Sequence, residues 1–336
     1  MKLSIIVPVY GVEKYIAECI QSFIDNLGRA STEVEVIVVD DGSKDKSIDI
    51  AKSIASDYPY FRFLSQTNQG LSMARNNGLE ASCGDYVWFV DSDDIISDGI
   101  VKTILDAIRR FQTIDMFELK YELVPEDVDI KALSKIKGLQ QSFSIITGKE
   151  RFVGGFTTPV PFHVYRRAFL NEHKLRMYPG IYHEDSEFTP RAVWLAKQVA
   201  EIQNVAYYYR QRGKSIMTTP NPQKGENYIF VAHRLQDFFD SQDADVETRA
   251  IISDYIAMTY CNGLNNVIGA NANDRKRVAK AAYEHRDVLR SLKNAIQMKY
   301  RVLGAISVLF PKRTADIYRL MMKLNTKNDI GFVSSK

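Results

Sequence analysis

YVWFVDSDD, residues 86–94, runs five large apolar residues, Tyr86 to Val90, directly into three carboxylates within four positions. A continuous apolar run of this length, rich in aromatic and β-branched residues, reads as a strand buried on both faces. A solvated loop does not ordinarily follow such a strand so abruptly. What Asp91, Asp93 and Asp94 face therefore decides the reading of the chain.

Two further runs, LSIIVPV (3–9) and VEVIVV (34–39), also read as buried strands, and FRFL (61–64) as a weaker one. Helix-like stretches lie between them, from Glu13 to Leu27, Asp45 to Ser56 and Leu71 to Ala81. Strand alternating with helix predicts a mostly parallel sheet covered on both faces. Ligands of such sheets sit beyond the carboxyl ends of the strands. Those ends are Pro8-Val9-Tyr10-Gly11, Asp40-Asp41-Gly42-Ser43 and Asp91-Ser92-Asp93-Asp94. The carboxylates of the first stretch belong on the ligand-binding edge.

From about residue 111 the pattern loosens. MFELKYELV (116–124) predicts a strand, 125–150 an irregular polar segment, and VYRRAFLNEHKL (164–175) a strand running into a helix. Glu184 to Leu195 has helical spacing with Pro190 in its first turns, and VAYYYRQR (205–212) is a strand with an arginine-rich end. Beyond Pro220 and Pro222 the character turns helical, with Ile251, Ile252, Tyr255, Ile256, Thr259 and Tyr260 in one stripe. A boundary is expected near 215–225.

The chain of 336 residues suits one large domain with an appendage, or two domains. Its 45% hydrophobic and 25% charged content is that of a soluble globular protein. Cys19, Cys83 and Cys261 lack paired spacing, which indicates neither a disulfide framework nor a cysteine zinc site and fits a reducing compartment. The first strand-like run begins at once, leaving no room for a signal peptide. Charge is uneven. Residues 275–327 carry 14 Lys/Arg and 3 Asp/Glu, against 30 and 38 in the remainder. A basic tail on an acidic body points to an anionic surface or polyanion, and no recognisable nucleic-acid module accompanies it. Within KYRVLGAISVLFPKRTADIYRLMMKL (299–324), the apolar run Val302 to Phe310 is nine residues long. A bilayer span needs about 20. Lys299, Arg301, Lys312 and Arg313 bracket the run, as in segments lying among lipid headgroups. Packing on its own domain with the basic residues solvated is the plainer alternative. The expectation leans to peripheral contact with an anionic membrane.

In an extended segment Asp91 and Asp93 point the same way, and two such carboxylates repel unless a cation or proton lies between them. Mn²⁺ or Mg²⁺ suits oxygen ligands. The alternative is a helix cap, Asp93 or Asp94 ahead of a helix near Ile95–Ala107, and alone the two weigh evenly. The second acidic strand end, in DDGSKDKS (40–47), tips the balance toward a metal. There Asp45 is a credible cap, and a carboxylate at the edge could meet a nucleobase or ribose, but phosphate-cradling glycines are lacking. In NQGLSMARNNG (68–78), Gly70 and Gly78 read as helix start and C-cap. Arg75 reads equally as a diphosphate contact or as a salt bridge to Asp40, Asp41 or Asp91. In YHEDSEF (182–188), Glu184 and Asp185 either favour a helix start or supply a general base. His163, His173 and His183 match no metal-ligand spacing.

With these pieces in order, residues 1–217 resemble glycosyltransferase family 2, nucleotide-sugar enzymes of the GT-A fold. The carrying stretches are SIIVPVYGVEKYIAECIQSF (4–23), VVDDGSKDKS (38–47), NQGLSMARNNGL (68–79), GDYVWFVDSDD (84–94), YHEDSEF (182–188) and YYYRQRGKSIM (207–217). The resemblance implies an α/β GT-A fold, a mostly parallel central sheet flanked by helices with a C-terminal helical extension. Residues 1–110 would be its nucleotide-sugar-binding half, 111–217 its acceptor-binding half, and 218–336 a helical region with the basic amphipathic tail. It implies an inverting hexosyltransferase that takes a sugar from a nucleoside diphosphate, favouring a UDP-sugar, to a glycan or lipid-linked acceptor. The setting expected is cytoplasmic, at the inner face of the cell membrane.

The roles implied are these. Pro8, Val9, Tyr10 and Glu13 line the nucleoside pocket. Asp41 hydrogen-bonds the base with Asp40 in support, and Asn68, Arg75 and Ser92 complete the nucleotide site. Asp93 ligates Mn²⁺ or Mg²⁺ on the diphosphate, and Asp91 the ribose or the metal. Asp185 is the base, Glu184 orients the acceptor or the loop, and Arg210 or Arg212 screens the leaving diphosphate. Gly11 departs from the family, which usually has Asn there, and puts Asn-dependent positioning in doubt. A non-catalytic binding or scaffold subunit is the alternative, opposed by the presence of Asp41, Asp91, Asp93 and Asp185. An aspartyl phosphohydrolase does not fit, because its nucleophile usually follows the first strand, which here ends Pro8-Val9-Tyr10.

Overall fold

Seven consecutive buried residues, Leu3–Val9, form β1. It pairs in parallel with β2 (Val34–Asp40) on one side and β4 (Tyr86–Phe89) on the other. The structure, a computed structural model, describes residues 2–129, 133, 144–213, 221–266 and 270–327, with side chains to Lys323. Half of the expected irregular segment 125–150, and YYYRQRGKSIM beyond Gly213, lie outside the described residues. Two compact units divide the chain: Met1–Gly180 with Glu184–Ser215, and Ile181–His183 with Ile216–Lys336.

The first unit is built on a nine-stranded sheet among the described residues. Its other strands are β3 (Phe61–Ser65), β5 (Ile95–Ile96), β6 (Met116–Pro125), β7 (Ile145–Ile146), β8 (His163–Arg166) and β9 (Val199–Gln211). The order is β3-β2-β1-β4-β8-β6-β9-β5, with β7 also paired to β9. The run β3-β2-β1-β4 is parallel, as the alternation of strand and helix requires. Beyond it the sense changes: β4–β8, β6–β8, β5–β9 and β7–β9 are antiparallel, and only β6–β9 is parallel. The sheet is mixed, because its second half lacks the regular βαβ crossovers that enforce parallel pairing.

Helices cover both faces. Alternation sends Leu3, Ile5 and Val7 to one side, where Ile16, Ile20 and Phe23 of α1 (Ile16–Leu27) and Ile100 and Ile104 of α4 (Ile100–Arg110) pack on them. Each such fully buried side chain is worth about 1.5–3 kcal/mol. α2 (Ser47–Ala55) adds Ala51 and Ala55 to this core. Ile6 points the other way, toward α3 (Leu71–Ala81). Gly78 is not the C-cap its position suggests. It lies inside α3, where an added Cβ would sit 2.3 Å from Ile6 Cγ2. Its lack of a side chain lets the helix settle onto β1. Three further helices, α5 (Gly148–Gly154), α6 (Arg167–Glu172) and α7 (Glu184–Leu195), complete the unit, with Pro190 inside α7.

The second unit is helical. Asn221 caps α8 (Pro222–Asp240), its side chain accepting from Gln223 N with proline at the first helical position. α9 (Val246–Asn265) crosses it closely at Gly225 and Gly263, where a Cβ on Gly263 would meet Ile229 Cγ1 at 2.7 Å. Of the expected stripe, Ile252, Ile256, Thr259 and Tyr260 are buried. α10 (Ala272–Glu284), α11 (Leu289–Asn294), α12 (Met298–Leu309) and α13 (Thr314–Lys327) follow. Among the described residues no helix is long and apolar enough to cross a membrane.

Candidate active site

The five-residue apolar run fills the sheet, and the chain then turns through Asp91–Asp94 into β5, which pairs antiparallel with β9 at Tyr208 and Tyr207. That pairing brings the arginine-rich end of β9 to the carboxylates. Asp94, 1% exposed, holds the turn in place. It accepts from the Tyr207 hydroxyl at 2.7 Å and from the Arg210 backbone N–H at 2.8 Å. Tyr207 in turn accepts from Asp91 N–H at 3.1 Å. Neither Asp93 nor Asp94 caps a helix, because β5 intervenes and α4 starts after Gly99.

The other two carboxylates of the turn each meet a guanidinium. Asp93 Oδ2 lies 2.6 Å from Arg212 Nη2. Asp91 Oδ1 lies 2.5 Å from Arg75 Nη2, and Arg75 Nη1 reaches Glu184 Oε1 at 2.6 Å. The salt-bridge reading of Arg75 therefore holds toward Asp91, and a second partner, Glu184, joins from α7. Arg75 is buried. It draws the DSDD turn and the Glu184-Asp185 helix start into one ion cluster. Burial and then the Asp91 charge push the Asp93 carboxyl up, opposed by Arg212. Burial raises Asp94 strongly as well, reinforced by Asp93 and Asp91. A crowded, half-desolvated, all-oxygen donor set of this kind is relieved by a hard dication, so Asp91 and Asp93 fit Mn²⁺ or Mg²⁺.

At the head of α7, Glu184 is buried and tied to Arg75, while Asp185 is half-buried. Asp185 Oδ1 accepts from Ser186 N–H at 2.6 Å. Burial pushes its carboxyl up, against the pull of Ser186 and Arg75. Glu184 is raised by burial too, opposed by Arg75. The two arginines at the end of β9 differ. Arg210 is buried, ion-paired to Glu18, and donates to the Glu126 carbonyl at 2.6 Å. Arg212, among the described residues, pairs with Asp93 and lies over the Tyr15 ring, 5.3 Å from the centroid.

A second cluster lies at the ends of β1 and β2. Asp41, 3% exposed, accepts from Gln66 Nε2 and Gln69 N–H on one oxygen, both at 2.8 Å, and from Gly70 N–H at 2.9 Å on the other. It thereby fixes the loop that carries the exposed Asn68 and starts α3. Asp40 accepts from Ser43 N–H at 2.8 Å. Glu13 and Asp45 exchange bonds across the two loops, Glu13 accepting from Lys46 N–H and Asp45 from Glu13 N–H, each at 3.1 Å. Pro8 and Val9 are buried in β1, and Tyr10 beyond them is 51% exposed. Ser92 is buried in the DSDD turn. Gly11 has φ +66° and open space where a Cβ would stand. Asparagine is among the few other residues that adopt this left-handed conformation readily, so glycine preserves the turn and removes only the side chain.

Tyr15, Glu18, Glu126 and Tyr207 were not singled out by the sequence. Tyr15 donates to Glu126 Oε1 at 2.8 Å, and Gly213 N–H donates to the other oxygen at 3.2 Å. Tyr15 and Glu18 sit three apart within 4–23, but Glu126 and Tyr207 join the site only through the fold. Only the alternation in YYYRQR, which sends Tyr207 and Tyr209 to one face, hinted at them.

Comparison with known proteins places these features in a family context. A sequence model described as Glycosyl transferase family 2 matches residues 4–173. The chain is 29% identical over 220 residues to the uncharacterized glycosyltransferase YibD of Escherichia coli (strain K12), covering 64% of this chain and 63% of that one. It is 31% identical over 228 residues to the uncharacterized glycosyltransferase EpsJ of Bacillus subtilis (strain 168), covering 65% and 63%. The matches thus span under two thirds of these relatives. In three dimensions the chain is similar to residues 1–349 of S. aureus TarS in complex with UDP-GlcNAc, with a TM-score of 0.76 at 21% identity over 97% of this chain and 92% of that one. At that identity the likeness concerns the fold, a mixed α/β GT-A architecture.

Proposed function

The chain belongs to glycosyltransferase family 2, and on that premise we propose that it transfers a sugar from a UDP-sugar to a hydroxyl of a glycan or lipid-linked saccharide, inverting the anomeric carbon. The observation that carries the reading is Arg75, whose two ion pairs gather Asp91 of the DSDD turn and Glu184 beside Asp185. One guanidinium thus joins the acids suited to a diphosphate-bound metal and the acid suited to a base. The UDP-GlcNAc complex of TarS supports UDP as the nucleotide.

In this reading Pro8, Val9, Tyr10, Glu13 and Asp40 line the nucleoside pocket. Asp41 shapes it through the loop bearing Asn68, and Ser92 lies on its diphosphate side. Mn²⁺ or Mg²⁺, held by Asp93 and Asp91, would neutralise the charge that develops on the leaving diphosphate. Arg212 offers that diphosphate a further positive charge. Asp185 takes the acceptor proton, and its raised affinity for protons brings it nearer the match that general-base catalysis needs. Attack from the face opposite the diphosphate needs one base, unlike the two carboxylates of a glycosidase. The outward face of α12, with its flanking basic residues, supports peripheral attachment to the anionic cytoplasmic face of a membrane.

The test is the thermal shift of the protein with UDP, GDP, CDP or TDP, each with Mn²⁺ or EDTA, beside Asp93→Asn. UDP stabilisation that needs the metal and is lost in the variant is the expected result. A flat response to all four would overturn it and favour a non-catalytic binding or scaffold subunit.

A further inference from the structure

We propose that His233, His285 and Asp287, in the helical unit, bind a transition-metal dication of the Zn²⁺ class. This site is chemically unlike the all-oxygen pair Asp91 and Asp93, and nothing in the transfer reaction calls for it.

Three segments build it. His233 stands on α8, with Asp237 one turn later on the same face. α10 ends at His285, whose cap conformation, φ −100° and ψ 38°, turns the chain into a short 3₁₀ segment, Arg286–Val288. That turn returns Asp287 to the side of His285. One ligand atom from each of His233, His285 and Asp287 lies within 4.8 Å of the others. His233 Nδ1 is 2.7 Å from Asp287 Oδ2, and His233 Nε2 is 3.5 Å from Asp237 Oδ2. The two imidazole rings are 4.6 Å apart at 32°.

The chemistry favours a metal over a plain salt bridge. Two imidazole rings 4.6 Å apart would repel if both were protonated, so a dication held between their nitrogens suits this spacing better than two imidazolium cations. His285 stands beside the His233–Asp287 pair, so nitrogen and oxygen donors gather there. Two imidazoles with Asp287 make a mixed nitrogen and oxygen donor set that suits a dication, while Asp237 lies against the other nitrogen of His233. Zinc bonds to histidine nitrogen at about 2.0–2.1 Å and to carboxylate oxygen at about 2.0–2.2 Å, so small side-chain rotations bring the three atoms into one coordination sphere. Imidazole donors select Zn²⁺, Co²⁺ or Ni²⁺, whereas carboxylate-only sites suit Mg²⁺ and Mn²⁺. A bound ion would staple α8 to the end of α10, stabilising the unit.

Zn²⁺ binding to the full chain, measured by calorimetry after chelator treatment, tests this. Co²⁺ would be used in parallel, because its visible absorption reports nitrogen-containing tetrahedral sites. The expected result is one Zn²⁺ per chain at micromolar concentrations or below. His233→Ala and His285→Gln should each weaken it by at least about tenfold, the loss that even outer partners of a zinc ligand can cause. Asp93→Asn should leave it intact. The Co²⁺ band should vanish in both histidine variants, whose folding is checked by circular dichroism without metal. Absence of Zn²⁺ binding by the parent protein, or wild-type affinity in the folded histidine variants, would overturn the proposal.

Discussion

Arg212 Nη2 sits 2.6 Å from Asp93 Oδ2, so the carboxylate suited to a metal already has a cation against it. The pair is only partly exposed, with side-chain accessibilities of 23% and 17%. A dication arriving at Asp93 would compete with this guanidinium, and on release the guanidinium would be free to meet the diphosphate. Arg212→Gln should therefore bind Mn²⁺ more tightly in the absence of nucleotide, by roughly tenfold or about 1.4 kcal/mol. Its turnover should fall. Titration of free Mn²⁺ by electron paramagnetic resonance reads the first effect, and unchanged affinity would mean that Arg212 does not compete for the site.

Asp185→Asn should keep metal-dependent UDP binding and lower turnover by about 10²–10⁴, the range for loss of a general base. The pH profile sharpens this. A base works only when ionised, and burial raises the Asp185 carboxyl above its ordinary 3.8. Turnover should thus fall as pH drops through that raised value, giving an acid limb displaced upward. The limb should disappear in Asp185→Asn and persist in Glu184→Gln. Near-normal turnover in Asp185→Asn would remove it as the base.

Arg75 is the structural counterpart. Its side chain is 3% exposed and bonded to Asp91 and Glu184. Arg75→Met strands the buried Glu184 carboxylate, at a cost of about 3–5 kcal/mol. The melting temperature should drop by roughly 4–7 °C at this chain length. Glu184→Gln added to Arg75→Met should recover part of the loss, because the uncompensated charge is gone. A double variant less stable than Arg75→Met would show that the ion pair is not the source.

Local pattern made the first half of the fold legible. β1 and α3 follow the apolar run and the helical spacing residue for residue, because each is set by its own sequence and buried against neighbours of the same kind. The second half was not legible in this way. β5 is two residues long and exists only by pairing with β9, so no periodicity could announce it. The Asp93–Arg212 and Arg75–Glu184 pairs join residues more than 100 apart in the chain, and charge alone offered several partners for each. Gly78 shows the same limit. Its place near a helix end suggested a cap, while its true neighbour, Ile6, is tertiary.

That contact can be measured. A Cβ at position 78 would sit 2.3 Å from Ile6 Cγ2 and 3.3 Å from Val39 Cγ2. Gly78→Ala should destabilise by about 1–3 kcal/mol through overpacking, despite alanine's better helix propensity. Ile6→Ala should itself be destabilising but make room, so the double variant should be less destabilised than the sum of the two. Additive losses in urea denaturation would mean that α3 and β1 do not meet at this point.

The tail offers the last test. α12 turns Tyr300, Leu303, Gly304 and Ser307 inward, so it packs on its own unit as the plainer alternative requires. Its other side is apolar rather than polar: Leu309 is 73% exposed and Phe310 59%, with Val302, Ile306 and Val308 also outward. Lys312 and Arg313 follow directly and are exposed. An outward apolar strip beside basic side chains suits the headgroup boundary of an anionic bilayer. Leu309→Ser with Phe310→Ser removes two side chains worth about 1.5–3 kcal/mol each if fully inserted. Binding to phosphatidylserine vesicles should then weaken by roughly tenfold or more, with the fold intact because neither residue is buried. Lys312→Glu with Arg313→Glu should weaken it further at low salt than at high salt. If the parent protein ignores the vesicles, or the serine variants bind them equally well, this face of α12 does not meet a membrane.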